Sequence, residues 1–367
     1  MITLNRYNLL KTLNILDNCC GYDTLNLLTS SINIRTKNNK LQLITTDTVN
    51  YAYLWFDLPE NETFDVFVNM NTLINLIKSC NSEVISLSVI NSGDASYVEI
   101  KAGNGIFKIP TIEKTKEFDI PDHKVELRQD CKHTLDLSVI KDMIAYNKPF
   151  LNTKAFGEPT CNYYVDDGQS YSSNGMLVCQ HKYSQNIYLP PVVVYSRLAN
   201  VLNALTDKTI NWYICPDYYY FENDNISIYS KVMAIDYPIE KLKSISDVGN
   251  TDNSITVGVD VIKSAINRLV IFASPLQNNA ITFTCNGNLT LKSLDSSAID
   301  TIDNIACNGR FEFIADGNDM LSVLSSLKED DIDNGRIELV YCDKDGYNHI
   351  NIKTKNTVYI MGALSDE

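Results

Sequence analysis

One order of elements recurs three times along this chain, and that repeat constrains the fold more than any single motif does. In the first pass, residues 4–17 carry leucines at 4, 9, 10, 13 and 16, a helical stripe. A hairpin turns at Asn38-Asn39 and ends at Thr46-Asp47, strands follow near 51–57 and 64–69, and 71–80 reads as a second helix. Alternating strands at 85–89, 97–100 and 105–109, with a turn at Gly103-Asn104-Gly105, lead to a closure at Phe118-Asp119-Ile120-Pro121. The second pass gives a helix over 136–148, a hairpin turning at Asp166-Asp167-Gly168, a helix over 191–205, strands at 209–215, 217–222 and 225–230, and a closure at Tyr237-Pro238. The third gives a helix over 260–274, a hairpin turning at Asn286-Gly287-Asn288, a helix over 318–328, and strands at 336–342, 348–353 and 357–361. Hairpin ends at Asp47, Asn174 and Asp295 lie 127 and 121 positions apart, and Lys11, Lys141 and Lys263 lie 130 and 122 apart. The expectation is α+β, with three tandem domains at 1–122, 123–248 and 249–367, each two helices packed on antiparallel sheets.

Composition narrows the function by exclusion. The formal charge of −14 argues against a surface that coats nucleic acid everywhere, though it allows contact through one confined face. The start of the chain is interrupted by Asn5, Asn8, Lys11 and Asn14, so no targeting segment is read there, and nothing approaches the roughly 18 apolar residues of a membrane span. The ten cysteines form no CxxC pair, and His123, His133, His181 and His349 lie far apart, so ten reduced thiols in a cytoplasm and no metal centre are expected. No GxSxG, GxxxxGK or GxGxxG is present, and no catalytic constellation or cofactor is expected. Asp343-Lys344-Asp345-Gly346 reads as a turn before it reads as a calcium loop, and Glu329, Asp330, Asp331 and Asp333 read as a solvated turn ending at Asn334-Gly335.

The six repeated helices depart from the overall charge. They hold nine basic residues (Arg6, Lys11, Lys78, Lys141, Lys148, Arg197, Lys263, Arg268 and Lys328) against five acids, whereas the rest of the chain holds 22 against 40. Helices favour Lys and Arg in any case. Set in a threefold repeat, the asymmetry points to six mildly basic helices lining a channel for a phosphate backbone, with sequence-blind contacts that permit sliding.

With these features in place, the chain resembles the bacterial DNA polymerase III beta subunit, the sliding clamp, in a divergent form of the kind a phage carries. The resemblance runs over nearly the whole chain. Its pieces are Leu41-Gln42-Leu43-Ile44-Thr45-Thr46-Asp47, the stretch from Lys101-Ala102-Gly103 to Phe107, Ser230-Lys231-Val232 leading to Tyr237-Pro238, Ala265-Ile266-Asn267-Arg268-Leu269, and Val358-Tyr359-Ile360-Met361. It implies a head-to-tail homodimeric ring around double-stranded DNA, no catalysis, an ATP-dependent clamp loader, and a DNA polymerase tethered through a short peptide.

For that peptide the resemblance implies an apolar groove at Val165, Gly175, Met176, Leu177, Val178, Pro238, Ile360 and Met361. The family's His and Arg after Thr-Asp-Gly are replaced here by Met176 and Leu177, and Met176 to Val178 read equally well as a buried strand. For the ring interface it implies that Ile77 and Phe107 meet Ile271 and Phe272, with Lys101 or Lys108 pairing with Asp300 or Asp303; Phe107 also suits ordinary core. A family arginine has no counterpart in Gly21-Tyr22-Asp23-Thr24, which leaves DNA contact to the helix cations. An alternative reading is a non-catalytic interaction or decoy protein that keeps the repeats and does not encircle DNA.

Overall fold

The computed structural model describes residues 1–23, 25–58, 63–92, 95–114, 120, 125, 127–154, 157–183, 190–247, 253–303, 305–344 and 347–364. Thr24, Phe118, Asp119, Pro121, His123, Asp345 and Gly346, used in the sequence reading, lie outside them.

Among the described residues the chain forms seven α-helices: α1 (Arg6–Asp17), α2 (Met70–Ser79), α3 (Leu137–Asn147), α4 (Ser196–Asn203), α5 (Ile239–Ser246), α6 (Val259–Val270) and α7 (Gly317–Ser326). All but α5 begin on the residue that follows a strand. The leading strands are Ile2–Asn5, Asp65–Asn69, Lys132–Asp136, Val192–Tyr195, Ser254–Gly258 and Phe311–Asp316. A short polar side chain often makes the switch. Asn5 accepts from the Asn8 N–H at 3.1 Å, Asn69 from Thr72 at 2.9 Å, and Asp316 from Asn318 at 2.7 Å. Each cap satisfies an amide that the first helical turn leaves without a partner.

The leading strands correct two of the expected helix starts, at 4 and 191, and the other four fall within one residue of the observed ones. Residues 192–195 are a strand, and the helix expected over 191–205 spans only Ser196–Asn203. Val192, Val193 and Val194 are β-branched, which favours the pleated backbone over the helix. The hairpin turns fall where they are expected. Asn38 and Asn39 adopt φ of 53° and 57°, and Asp167 and Gly168 adopt 39° and 76°, the left-handed values that tight two-residue turns require.

The described chain divides into two compact units. The first comprises 1–140 and 197–234. It holds an antiparallel four-stranded sheet, ordered Ile2–Asn5, Val84–Ser92, Ala95–Ala102, Gly105–Pro110. Its second sheet has eight strands, ordered Asp65–Asn69, Ser31–Lys37, Lys40–Thr46, Asn50–Asp57, Ile226–Lys231, Tyr218–Asn223, Thr209–Ile214, Lys132–Asp136. Leu9, Leu13 and Leu16 of α1 and Leu73, Ile74 and Ile77 of α2 are buried, each contributing about 2 kcal/mol by leaving water.

The second unit comprises 141–196 and 235–367. Its nine-stranded sheet runs Val192–Tyr195, Asn162–Asp166, Gln169–Ser173, Leu177–Lys182, Thr357–Gly362, Tyr347–Lys353, Arg336–Lys344, Ser254–Gly258, Ala306–Asn308. Its four-stranded sheet runs Ile299–Ile302, Leu289–Ser293, Ala280–Cys285, Phe311–Asp316. One core joins Ile262 and Ile266 of α6, Met320 and Leu324 of α7, Phe283 and Leu291 of the small sheet, and Leu339, Ile350 and Tyr359 of the large one.

Two further expectations are corrected. The cysteines are not ten free thiols: Cys285 and Cys307, 22 residues apart with Cα atoms 7.0 Å apart, are joined as a disulfide, and eight thiols are free. Folding of non-adjacent strands brings this pair together, so no local spacing signals it. The run at 329–333 is not wholly solvated either. Asp331 is 1 % exposed, and its carboxylate accepts from the Asn356 N–H at 2.8 Å and from the Thr354 hydroxyl. A buried carboxylate needs such donors to offset its lost hydration. No three His, Cys, Asp or Glu side chains among the described residues are placed to hold a metal ion, and no described helix is long and apolar enough to cross a membrane.

Candidate functional site

The nine expected cations separate into two groups. All three arginines have partners inside the chain. Arg6 donates from Nε to the Ile77 carbonyl and from Nη2 to the Lys78 carbonyl, both at 2.9 Å, and so caps the C-terminal end of α2. Arg197 lies 3.5 Å from the fully buried Asp47 carboxylate, which also accepts from the Val49 and Asn50 amides. Arg268 is bonded to Asp300 through Nε at 2.8 Å and Nη2 at 2.5 Å. These three hold bonds within the fold, although the Arg268 side chain remains 62 % exposed. The six lysines behave differently. Lys11, Lys78, Lys141 and Lys148 are exposed, Lys263 and Lys328 are half-buried, and none forms an ion pair among the described residues.

A largely apolar cleft of the second unit has a volume of about 490 Å3 and lies beside α5. Three contacts set the helix on the sheet. Lys243 pairs with Asp166 at 2.5 Å, the Asn351 amide donates to the Ile245 carbonyl at 3.1 Å, and the Tyr237 hydroxyl donates to the Tyr171 carbonyl at 3.2 Å. Tyr237 and Leu242 then pack on Tyr171, Val178 and Ile360. Burial pushes the Tyr237 phenol well above its ordinary pKa, which keeps it a neutral donor.

Five of the expected groove residues line this cleft: Gly175, Met176, Val178, Pro238 and Ile360. Three do not. Leu177 and Met361 belong to the core on the opposite face of the sheet, and Val165 is also buried away from the cleft. Strand parity explains the division. Leu177 pairs with Met361 and Val178 with Ile360, so neighbouring pairs point to opposite faces. The sequence reading missed α5 and its Lys241, Leu242 and Ile245, as well as Asp316, Asp319 and His349. The spacing of Ile239, Leu242 and Ile245 behind Pro238 was the available signal.

At one wall of the cleft the Asp319 amide donates to the Asp316 carboxylate at 3.2 Å, so the two acids sit within one helical turn. Desolvation, then the Asp316 charge, raises the Asp319 carboxyl above the ordinary carboxylate range.

Of the residues expected at the ring interface, Ile77 is fully buried in the first unit and presents no surface, because it lies on the face of α2 that packs inward. Phe107 is 40 % exposed, Ile271 79 % and Phe272 54 %. Phe107 lies on Gly105–Pro110, an edge strand of one small sheet, and Ile299–Ile302 is an edge strand of the other. Lys101 pairs with Glu99 at 3.2 Å, Lys108 lies over the Tyr97 ring at 4.5 Å, and Asp300 is held by Arg268; Asp303 is exposed.

No family model matches the chain, and no curated protein sequence matches it. Solved structures do. A DNA polymerase III beta subunit from Thermotoga maritima matches with a TM-score of 0.82 at 14 % identity, covering 100 % of this chain and 99 % of that one. The beta subunit of Pseudomonas aeruginosa matches at 0.77 and 16 %, covering 99 % of each chain. A sliding clamp from Caulobacter crescentus matches at 0.78 and 15 %, again covering 99 % of each. The class follows from this full-length likeness: the chain is an α+β protein with the sliding-clamp fold. The particular form of that fold found here is the bacterial DNA polymerase III beta subunit's.

Proposed function

We propose that this protein is a DNA sliding clamp: a non-catalytic processivity factor whose two copies close head to tail around duplex DNA. Likeness over the whole chain to beta subunits carries the proposal, since the matches cover at least 99 % of this chain and of theirs. In this reading the three repeats are domains at 1–122, 123–248 and 249–367. The cation-bearing helices face the DNA. Contact rests on Lys11, Lys78, Lys141, Lys148, Lys263 and Lys328, because the three arginines are already engaged. Few and salt-sensitive phosphate contacts suit a ring that must slide. The cleft beside α5 takes a peptide from a DNA polymerase, and an ATP-dependent loader opens the ring. The setting is the cytoplasm in which replication proceeds.

The edge strands Gly105–Pro110 and Ile299–Ile302 support the head-to-tail closure. An edge strand that presents Ile106 at 60 % and Ile299 at 63 % exposure is a ready partner for another edge. Negative-stain electron microscopy of the purified protein tests the proposal. The expected result is a six-lobed ring with an open centre and twice the chain mass. Monomeric particles without a hole would overturn the ring and favour an interaction protein built on the clamp fold.

A further inference from the structure

We infer that the cleft beside α5 selects peptides that carry a basic side chain next to their apolar residues. The inference rests on the reading of this cleft as a peptide groove and names the chemistry of what fills it. The floor is apolar, built from Val178, Tyr237, Leu242 and Ile360, and will accept Leu-like or Phe-like side chains by burial. One wall is acidic. Asp316 and Asp319 both line the cleft, and the amide of one donates to the carboxylate of the other. Asp316 spends its Oδ1 on the amides of Asn318 and Asp319, as the cap of α7. The Asp319 carboxylate, half-buried, accepts no hydrogen bond and forms no ion pair among the described residues. Two carboxylates in one helical turn beside an apolar floor form a negative wall that a Lys or Arg of the ligand would neutralise. An acidic ligand residue would meet like charge there, so the wall also rejects.

The test uses three fluorescein-labelled decapeptides sharing a Leu-Leu-Phe core and differing only in two flanking residues: both Lys, both Gln or both Glu. Binding to the full-length protein is read by anisotropy at low salt. The expected order of affinity is Lys over Gln over Glu, with roughly 3- to 10-fold between steps. Asp316→Asn with Asp319→Asn is expected to collapse that order, bringing the Lys and Glu peptides to within about twofold of each other. Asn also caps helices well, so the variant keeps its fold. Equal binding of all three peptides, or preference for Glu, overturns the charge selection and leaves the groove standing. Failure of all three to bind, or binding indifferent to Met176→Glu at the cleft mouth, overturns the groove reading and this inference with it.

Discussion

His181 shows how much a single ring can set in this fold. Its Nδ1 shares a hydrogen bond with the Thr357 hydroxyl at 2.9 Å, and its ring stacks on Tyr146 with centroids 3.8 Å apart. Desolvation depresses its pKa from 6.5 to about 4, against the weaker opposing pull of Asp331 and Asp330. The buried imidazole is therefore neutral in the native state, while the unfolded chain begins to take up its proton near pH 6.5. Stability from this group is complete above that pH and is lost as pH falls through the interval toward 4. The shift is worth at most about 3 kcal/mol. Urea unfolding at pH 7, 5 and 4 should show His181→Gln losing less stability on acidification than the parent, by roughly 2 to 3 kcal/mol. Parallel losses in the two proteins would refute the burial argument.

At the scale of elements, the strand-to-helix switch is the recurring device, and Asp316 is the place to probe it. Its carboxylate takes two amides of α7, so Asp316→Ala should cost about 1 kcal/mol in equilibrium unfolding and Asp316→Asn only a few tenths. The same device explains which elements the sequence disclosed. Hairpins at Asn38-Asn39 and Asp167-Gly168 were legible because the turn chemistry is local. Of the leading strands only Asp65–Asn69 was legible; the other five were not, because four to six residues that run straight into a helix extend its stripe without a break. Thus Leu4 reads as the first residue of a helix, although it pairs with Ile85 in a sheet. The candidate groove was half legible. Composition marked Met176, Leu177 and Val178 as a group, but which of them faces the cleft depends on register with a strand about 180 residues away, Thr357–Gly362. The acidic wall was invisible for a related reason: Asp316 and Asp319 meet Val178 and Pro238 only through the sheet and α5.

The whole molecule has to reconcile a charge of −14 with a proposed hold on DNA, and the closure of two chains is where that reading is most exposed to test. A head-to-tail pair has two equivalent joints, each bringing a first-unit edge against a second-unit edge. In the proposed ring these joints gather Ile106 and Phe107 from one chain and Ile271, Phe272 and Ile299 from the other, side chains that the single chain leaves to water. Phe107→Asp and Ile271→Lys change exposed positions, so each should leave the fold within about 0.5 kcal/mol of the parent. Each also places a charge in both apolar joints, and each variant alone should sediment as a monomer. Mixed in equal amounts, the two variants should recover the dimer. In the mixed ring one joint brings together the two introduced charges, which are of opposite sign, and the other retains the native Phe107 and Ile271. An isologous dimer, in which each patch meets its own copy, offers no such rescue: mixing would at best pair one variant's altered patch with the other's native one. Sedimentation velocity on the two variants, separately and mixed, therefore reads closure and polarity together. Dimers in every sample would remove these edges from the interface, and monomers in the mixture would remove the head-to-tail arrangement.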